Sequence, residues 1–312
     1  MKIIITGALG HIGSKLIRSL EVPNEEVEFI LIDNLRTQRF CSLFNLPKDH
    51  ANYKFFDLDL ISSDLDQIFS EASHVIHLAA LTDAAGSFDN AAEVESVNLT
   101  STQKVVDLCI KHGLKLINIS STSVYGTQKN IVDESCTDEE LNPQSPYART
   151  KLLEEQLIQQ HCKSGLLKGV IFRFGTIFGT SPGIRFHTAV NKFCFQAATK
   201  VPITVWKTAY DQQRPYLDID DAINAFEFVI TNNIFDGEIY NIVSMNATVK
   251  QILNIIEQII PDLKIEFVEN EIMNQLSYTV LADKIENIGF NFHGSLDKQI
   301  ANTLNLFSAI KN

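Results

Sequence analysis

The sequence predicts an α/β fold in which a parallel sheet is covered by helices on both faces and a smaller C-terminal lobe follows. Three observations lead there. Short, nearly continuous apolar runs alternate with longer stretches of helical periodicity, the pattern of buried parallel strands joined by crossover helices. Three of only 14 glycines stand at Gly7, Gly10 and Gly13, directly after the first apolar run. Near residue 175 the rhythm breaks, with Gly175, Gly179, Pro182 and Gly183 close together, a composition shift that marks a second unit.

In chain order, strands are expected near Lys2 to Thr6, Val27 to Ile32, Tyr53 to Phe56, His74 to His77, Leu114 to Ile119 and Lys168 to Phe172, where β-branched and other apolar residues run together. Helices are expected between them near His11 to Leu20, Asp89 to His112 and Pro146 to Cys162. Ser145 before Pro146 is an N-cap with proline at the first helical position. After the glycine cluster come a helix near His187 to Thr199 and a loop-rich stretch. A helix near Asp220 to Thr231 and a strand near Ile239 to Val243 return to the first sheet, and a helix near Val249 to Ile260 completes the lobe. The expected division is a cofactor domain over 1–175 joined by 218–245, and a substrate lobe from 176–217 and 246–312.

Composition narrows the function. With 26 Lys+Arg against 38 Asp+Glu, the net charge of −12 argues against a broad electrostatic grip on nucleic acid or an anionic membrane, so an anionic ligand needs a local site. Five scattered cysteines with no C-x-x-C pair suggest neither a disulfide framework nor a metal centre. The opening apolar run is too short for a signal peptide and no run of 18 apolar residues occurs, so a cytoplasmic protein is expected.

T-G-A-L-G-H-I-G, residues 6 to 13, lies between the first strand and the first helix. Gly7 permits a tight turn, Gly10 allows close approach of a pyrophosphate, and Gly13 lets helix and strand pack, with the helix N-terminus aimed at phosphate: the turn of a doubly wound Rossmann sheet. Asp33 ends the second strand twenty residues past Gly13. A carboxylate there accepts from adenosine-ribose hydroxyls and repels a 2′-phosphate, which predicts NAD rather than NADP.

Tyr147 and Lys151 stand four apart in S-P-Y-A-R-T-K and share a helix face. A tyrosine hydroxyl serves as a base near neutrality only if positive charge lowers its pKa, and Lys151 is placed to do so. Alone, Y-x-x-x-K is a weak signal. S-S-T-S-V-Y-G, residues 120 to 126, strengthens it by setting hydroxyls at the carboxyl end of a strand, where open α/β sheets bind ligands; Ser121 is the best partner.

With these motifs in order, the chain resembles the extended short-chain dehydrogenases/reductases of the nucleotide-sugar epimerase/dehydratase group, typified by UDP-galactose 4-epimerase. The resemblance implies that Gly7, Gly10, His11, Ile12 and Gly13 hold the pyrophosphate, Asp33, Asn34 and Leu35 the adenosine ribose, and Asp57 and Leu58 the adenine. It further implies that Leu78, Ala79 and Ala80 run beside the cofactor, supported by Asn98, and that Ser121, Tyr147 and Lys151 are catalytic, the last two also contacting the cofactor.

Relatives that dehydrate or decarboxylate their sugar usually carry a carboxylate beside the catalytic Ser/Thr. Here those slots hold Thr122 and Ser123, which favours epimerisation, most simply at carbon 4, through a transient ketosugar. A ketosugar reductase or dehydrogenase with net redox turnover, a dehydratase using an unfamiliar acid, and a cofactor-sensing protein remain as alternatives. By the same resemblance Arg214 meets the nucleotide diphosphate, with Thr176, Arg185 and Asn191 as further substrate contacts. Thr176 replaces a frequent Asn, Asp218 stands in a slot usually His or Tyr, and Leu276 or its neighbours stand where an additional diphosphate Arg is common. Arg173 reads as structural through strand-end carbonyls, His11 and His77 as structural too, Trp206 as packing or a base-stacking surface, and Asp138-Glu139-Glu140 as a solvated loop. A homodimer through the helices near 89–112 and 146–162 is expected by resemblance.

Overall fold

The computed structural model describes residues 1–82, 88–126, 130–137, 139–269 and 277–310. The first half runs β1 (Lys2–Thr6), α1 (His11–Ser19), β2 (Glu28–Asp33), β3 (Asn52–Asp57), α2 (Asp66–Ser70), β4 (His74–His77), α3 (Ala91–His112), β5 (Lys115–Ser121), β6 (Ile131–Val132), α4 (Pro146–Lys163) and β7 (Lys168–Phe174). It continues through β8 (Thr176–Phe178), α5 (Ala189–Ala198), β9 (Ile203–Trp206), β10 (Gln213–Asp218), α6 (Ile219–Thr231), β11 (Ile239–Ile242), β12 (Met245–Thr248) and α7 (Val249–Ile259). β13 (Ile265–Val268), β14 (Thr279–Val280), α8 (Asp283–Glu286) and α9 (Leu296–Asn305) follow.

The main sheet has seven strands in the order β11-β7-β5-β4-β1-β2-β3, every neighbour parallel. Along β1, Ile3 and Ile5 enter one apolar cluster while Ile4 enters another; along β2, Phe29 and Leu31 oppose Ile30 and Ile32 in the same way. Burial of both faces is why these strands read as unbroken apolar runs. From β1 the chain turns to β2 on one side and later fills β4 on the other, so the crevice at the carboxyl ends of β1 and β4 is the topological switch point where ligands bind.

A three-stranded sheet β12-β10-β8, the pair β13-β9 and helices α5, α7 and α9 enclose a third apolar cluster around Phe178, Phe193, Ile252 and Ile300. β10 joins this sheet at Asp218, whose carboxylate caps α6 through the Asp220 N–H and accepts from Ser295 N and Gln299 Nε2, tying α6 to α9. Among the described residues no helix is long and apolar enough to cross a membrane. Leu276 and Asp138 lie outside the described residues.

Candidate active site at the carboxyl edge of the sheet

The glycine turn is shaped by close approach. Gly7 holds φ +64°, and a Cβ there would sit 2.7 Å from the Ala79 nitrogen; a Cβ on Gly13 would sit 2.5 Å from the Ala8 carbonyl oxygen. No larger residue fits either place. α1 opens at Gly10 with no side-chain cap and no acidic residue in its first turn, which leaves its N–H groups and positive dipole end for an anion. Asp33 is anchored below: Oδ2 accepts from Leu9 N at 3.0 Å and Oδ1 from Leu35 N at 2.9 Å. A carboxylate has about four lone-pair sites, so two remain for the vicinal hydroxyls of a ribose. Cradle, helix end and free carboxylate lone pairs fit the pyrophosphate and adenosine ribose of NAD.

Neighbouring residues support that edge. Asn34 is spent on Asp59 and the Arg36 N–H, Leu35 adopts φ +52°, and Leu58 N donates to the Asp33 carbonyl beside Asp57. The Thr6 hydroxyl meets His77 Nδ1 at 2.7 Å and accepts from Leu78 and Ala79 N–H; Asn98 clamps the Leu81 backbone by both amide atoms, fixing the segment through Ala80. Burial, aided by nearby Lys151, lowers the His77 pKa to about 3, so it acts as a neutral hydrogen-bonding link to Thr102. His11 is likewise neutral, lowered to about 3 by burial and then by Arg185, Arg39 and His187.

The loop after β8 lies on the same turn. His11 Nδ1 and Ser181 Oγ are 2.8 Å apart, Gly183 N donates to Ser14 Oγ at 2.9 Å, and Cys41 Sγ donates to the Pro182 carbonyl. A Cβ on Gly183 would strike the Leu9 carbonyl at 2.5 Å. Gly183, Ser181, Thr82 and the half-buried Arg39, whose charge faces Asp33 and His11, were not legible as site residues. Only the run Arg36 to Arg39 following Asp33 hinted at the last.

Ser145 caps α4 by accepting from Ala148 N, with Pro146 at the first position, so Tyr147 and Lys151 lie on consecutive turns, the Lys151 Nζ 5.9 Å from the Tyr147 ring centre. α4 packs against β5 and the turn at 122–124, where Ser121 ends the strand and its Oγ accepts from Ser123 N and Oγ. Lys151 is buried and donates to Glu154 at 2.8 Å. Burial raises the Tyr147 pKa; Lys151 and Arg185 oppose that rise and Glu154 adds to it. The lowering of Tyr147 by Lys151 expected from spacing is therefore present but outweighed in the chain by itself.

Beside Ser121 a cavity of ≈ 250 Å³ is lined by Ser121, Thr122, Ser123 and Thr176 together with Trp206, Gln212, Arg214 and Tyr278. None of the described lining residues carries a carboxylate. Arg214 lies 5.4 Å over the Tyr278 ring and donates to Gln212 at 2.9 Å. Arg185 sits elsewhere, bonded to Thr82 and close enough to Tyr147 to influence it. Asn191, expected to face the nucleotide, is instead fully buried; its amide is spent on the Gly179 backbone and the Arg185 carbonyl, because α5 needs that side chain to hold the incoming loop. Arg173 is structural, paired with the Glu155 carboxylate rather than with strand-end carbonyls.

The profile of the NAD dependent epimerase/dehydratase family matches residues 3–243. A dTDP-D-glucose 4,6-dehydratase of Dictyostelium discoideum is 30% identical over 275 residues, 81% of this chain and 62% of that protein, so the chain spans less than two thirds of that relative. An uncharacterized UDP-glucose epimerase of Bacillus subtilis (strain 168), YtcB, is 29% identical over 268 residues, 83% of this chain and 82% of the relative. Among solved structures, a UDP-glucuronic acid 4-epimerase from Bacillus cereus, in complex with UDP-glucuronic acid and NAD, superposes with TM-score 0.86 at 26% identity over 98% of this chain and 99% of that one. The dinucleotide cradle, the helix bearing Tyr147 and Lys151 and the matched profile agree: this chain belongs to the NAD dependent epimerase/dehydratase family.

Proposed function

We propose that the protein epimerises a nucleotide-diphosphate sugar at carbon 4 through a transient ketosugar. The observation that carries the choice within the family is the cavity beside Ser121, rich in hydroxyls and without a carboxylate among its described lining residues. Eliminating water needs an extra acid and base, whereas oxidation and re-reduction need a base for one hydroxyl proton. The B. subtilis relative and the B. cereus structure are named as epimerases, which supports the reading, and the Dictyostelium relative as a dehydratase, which marks the alternative.

In this reading the cradle of Gly7, Gly10, His11, Ile12 and Gly13 binds the pyrophosphate, Asp33 the adenosine ribose, and Leu78 to Ala80 flank the nicotinamide half. Bound NAD supplies the hydride acceptor and donor. Tyr147 Oη takes the sugar hydroxyl proton and returns it after the sugar has turned over in the cavity; Ser121 Oγ hydrogen-bonds the same oxygen. Lys151 holds positive charge beside the phenol. Arg214 meets the diphosphate with its fork of donors, Thr176 lies against the sugar, and Arg185 stands near the reacting end. Residues 1–175 with 218–245 form the cofactor domain, and 176–217 with 246–312 the substrate lobe.

The experiment is incubation of the purified protein with a panel of nucleotide sugars, followed by NMR of the products. An epimer formed without accumulating NADH is expected, and Tyr147→Phe should lower turnover by about 10²–10⁴-fold while NAD stays bound. Stoichiometric NADH, a 4-keto-6-deoxy product, or full activity in Tyr147→Phe overturns the proposal.

A further inference from the structure

Behind Tyr147 and Lys151 lies an acid that neither the glycine cradle nor the cavity uses. Glu154 is fully buried one turn beyond Lys151, and its Oε2 accepts from the Lys151 ammonium at 2.8 Å; the two side chains are 0% and 5% exposed. Glu154 Oε1 and both amide atoms of Asn118 on β5 are sealed from water, and the Asn118 and Thr102 side chains are turned toward this carboxylate. An i,i+3 pair on an exposed helix face is commonplace. One sealed from water is not, because removing two charges from water is repaid only by good geometry and satisfied lone pairs. This one stands directly behind Tyr147 and Lys151, where its charge acts on both.

We propose that Glu154 is a positioning residue whose carboxylate holds the Lys151 ammonium in place and sets the pH window in which Tyr147 and Lys151 work. This rests on the reading of those two as the reacting pair. Burial alone drives a lysine toward its neutral form, yet Glu154, with Tyr147 and Glu155, outweighs burial and keeps Lys151 above its ordinary value. The same negative charge resists ionisation of Tyr147. The carboxylate thus secures a charged lysine while making the phenol a stronger base once ionised. The other charged or titratable neighbours are few. Arg185, from the loop after β8, faces Tyr147; Glu155, on α4, and the neutral His77, from β4, face Lys151. Thr102 from α3 and Asn118 face Glu154 and carry no charge. Among the described residues only Glu154 bonds the ammonium.

Glu154→Gln keeps the shape and removes the charge. In NAD-loaded protein, near-ultraviolet titration with Tyr147→Phe subtracted reads the ionisation of Tyr147, and heteronuclear NMR of labelled lysines reads Lys151. Both ionisations should move to lower pH, that of Lys151 by about one unit, the low end of what a charge within ~4–6 Å does. Both limbs of the turnover profile should follow. Unmoved titrations in a folded variant overturn the proposal, and so does a lowered melting temperature with unmoved titrations, the mark of a merely structural residue. If Glu154→Gln does not fold, Glu154→Asp takes its place: the shorter carboxylate should shift the Tyr147 titration, and no shift overturns the proposal. Full turnover in Tyr147→Phe sinks the reacting-pair reading separately.

Discussion

Replacing Arg173 with methionine separates a structural arginine from a ligand-binding one. Arg173 projects from β7 into the core at 3% exposure, donates from Nε and Nη2 to the two Glu155 oxygens at 2.9 and 2.7 Å, and lies 4.9 Å over the Tyr125 ring; Ser120 donates to the same carboxylate. Arg173→Met leaves Glu155, 1% exposed, charged and short of two donors. Breaking a buried pair from one side costs about 3–5 kcal/mol. At about 2.1 cal/mol/K per residue, 312 residues give an unfolding entropy on the order of 0.65 kcal/mol/K, so the melting temperature should fall by about 5–8 °C. Calorimetry at one fixed NAD concentration reads this, since bound cofactor itself raises the midpoint. The double variant Arg173→Met/Glu155→Leu should recover most of the loss, because an apolar pair of similar volume is often neutral or stabilising. A fall below about 2 °C, or a double variant no better than the single, would refute the reasoning.

Three further outcomes are expected. His11 and His77, lowered to about 3, and His74, lowered to about 4, are buried and neutral in the fold but protonate near 6.5 when unfolded; the unfolded state then binds more protons, so stability falls as pH drops from 6.5 toward 4, by up to about 1.4 kcal/mol per histidine per pH unit, and a flat melting temperature between pH 6.5 and 5 would contradict this. Gly183→Ala puts a Cβ 2.5 Å from the Leu9 carbonyl and should cost about 1–3 kcal/mol with loss of bound NAD, measured by melting and by nucleotide content; a wild-type value for both would contradict the close packing. Arg214→Ala removes a cation from the cavity lining and should raise KM for the nucleotide sugar at least about tenfold with little change in kcat; a pure kcat effect would place Arg214 elsewhere in the mechanism.

The central sheet was legible because burial on both faces leaves a simple trace: β1 and β4 fall at the expected residues, and the other main strands within a few positions. The short strands β6, β8, β9 and β12 to β14 left no comparable pattern, because two to four half-buried residues cannot display a period, whereas α9 does carry a helical trace in Leu296, Ile300 and Leu304, set among polar residues. The same divide runs through the site. Gly7 and Gly13, Asp33 and the Tyr147–Lys151 spacing are demanded by local geometry and stand out in a linear reading. The contacts of Gly183 with Leu9, Thr82 with Arg185, and Glu155 with Arg173 join distant segments, and only the folded chain brings them together. Asn191 shows the converse error, since its place by resemblance says nothing about which way an amide turns.

The 181–183 loop, joined to His11, Ser14 and Cys41, works as a triple latch across the mouth of the dinucleotide crevice. Lifting that loop off the first helix and off the segment after β2 requires all three ties to break together. Such a fastening is no handicap to a catalyst that keeps its dinucleotide from cycle to cycle; one that had to trade spent for fresh dinucleotide would have to undo it at every turn.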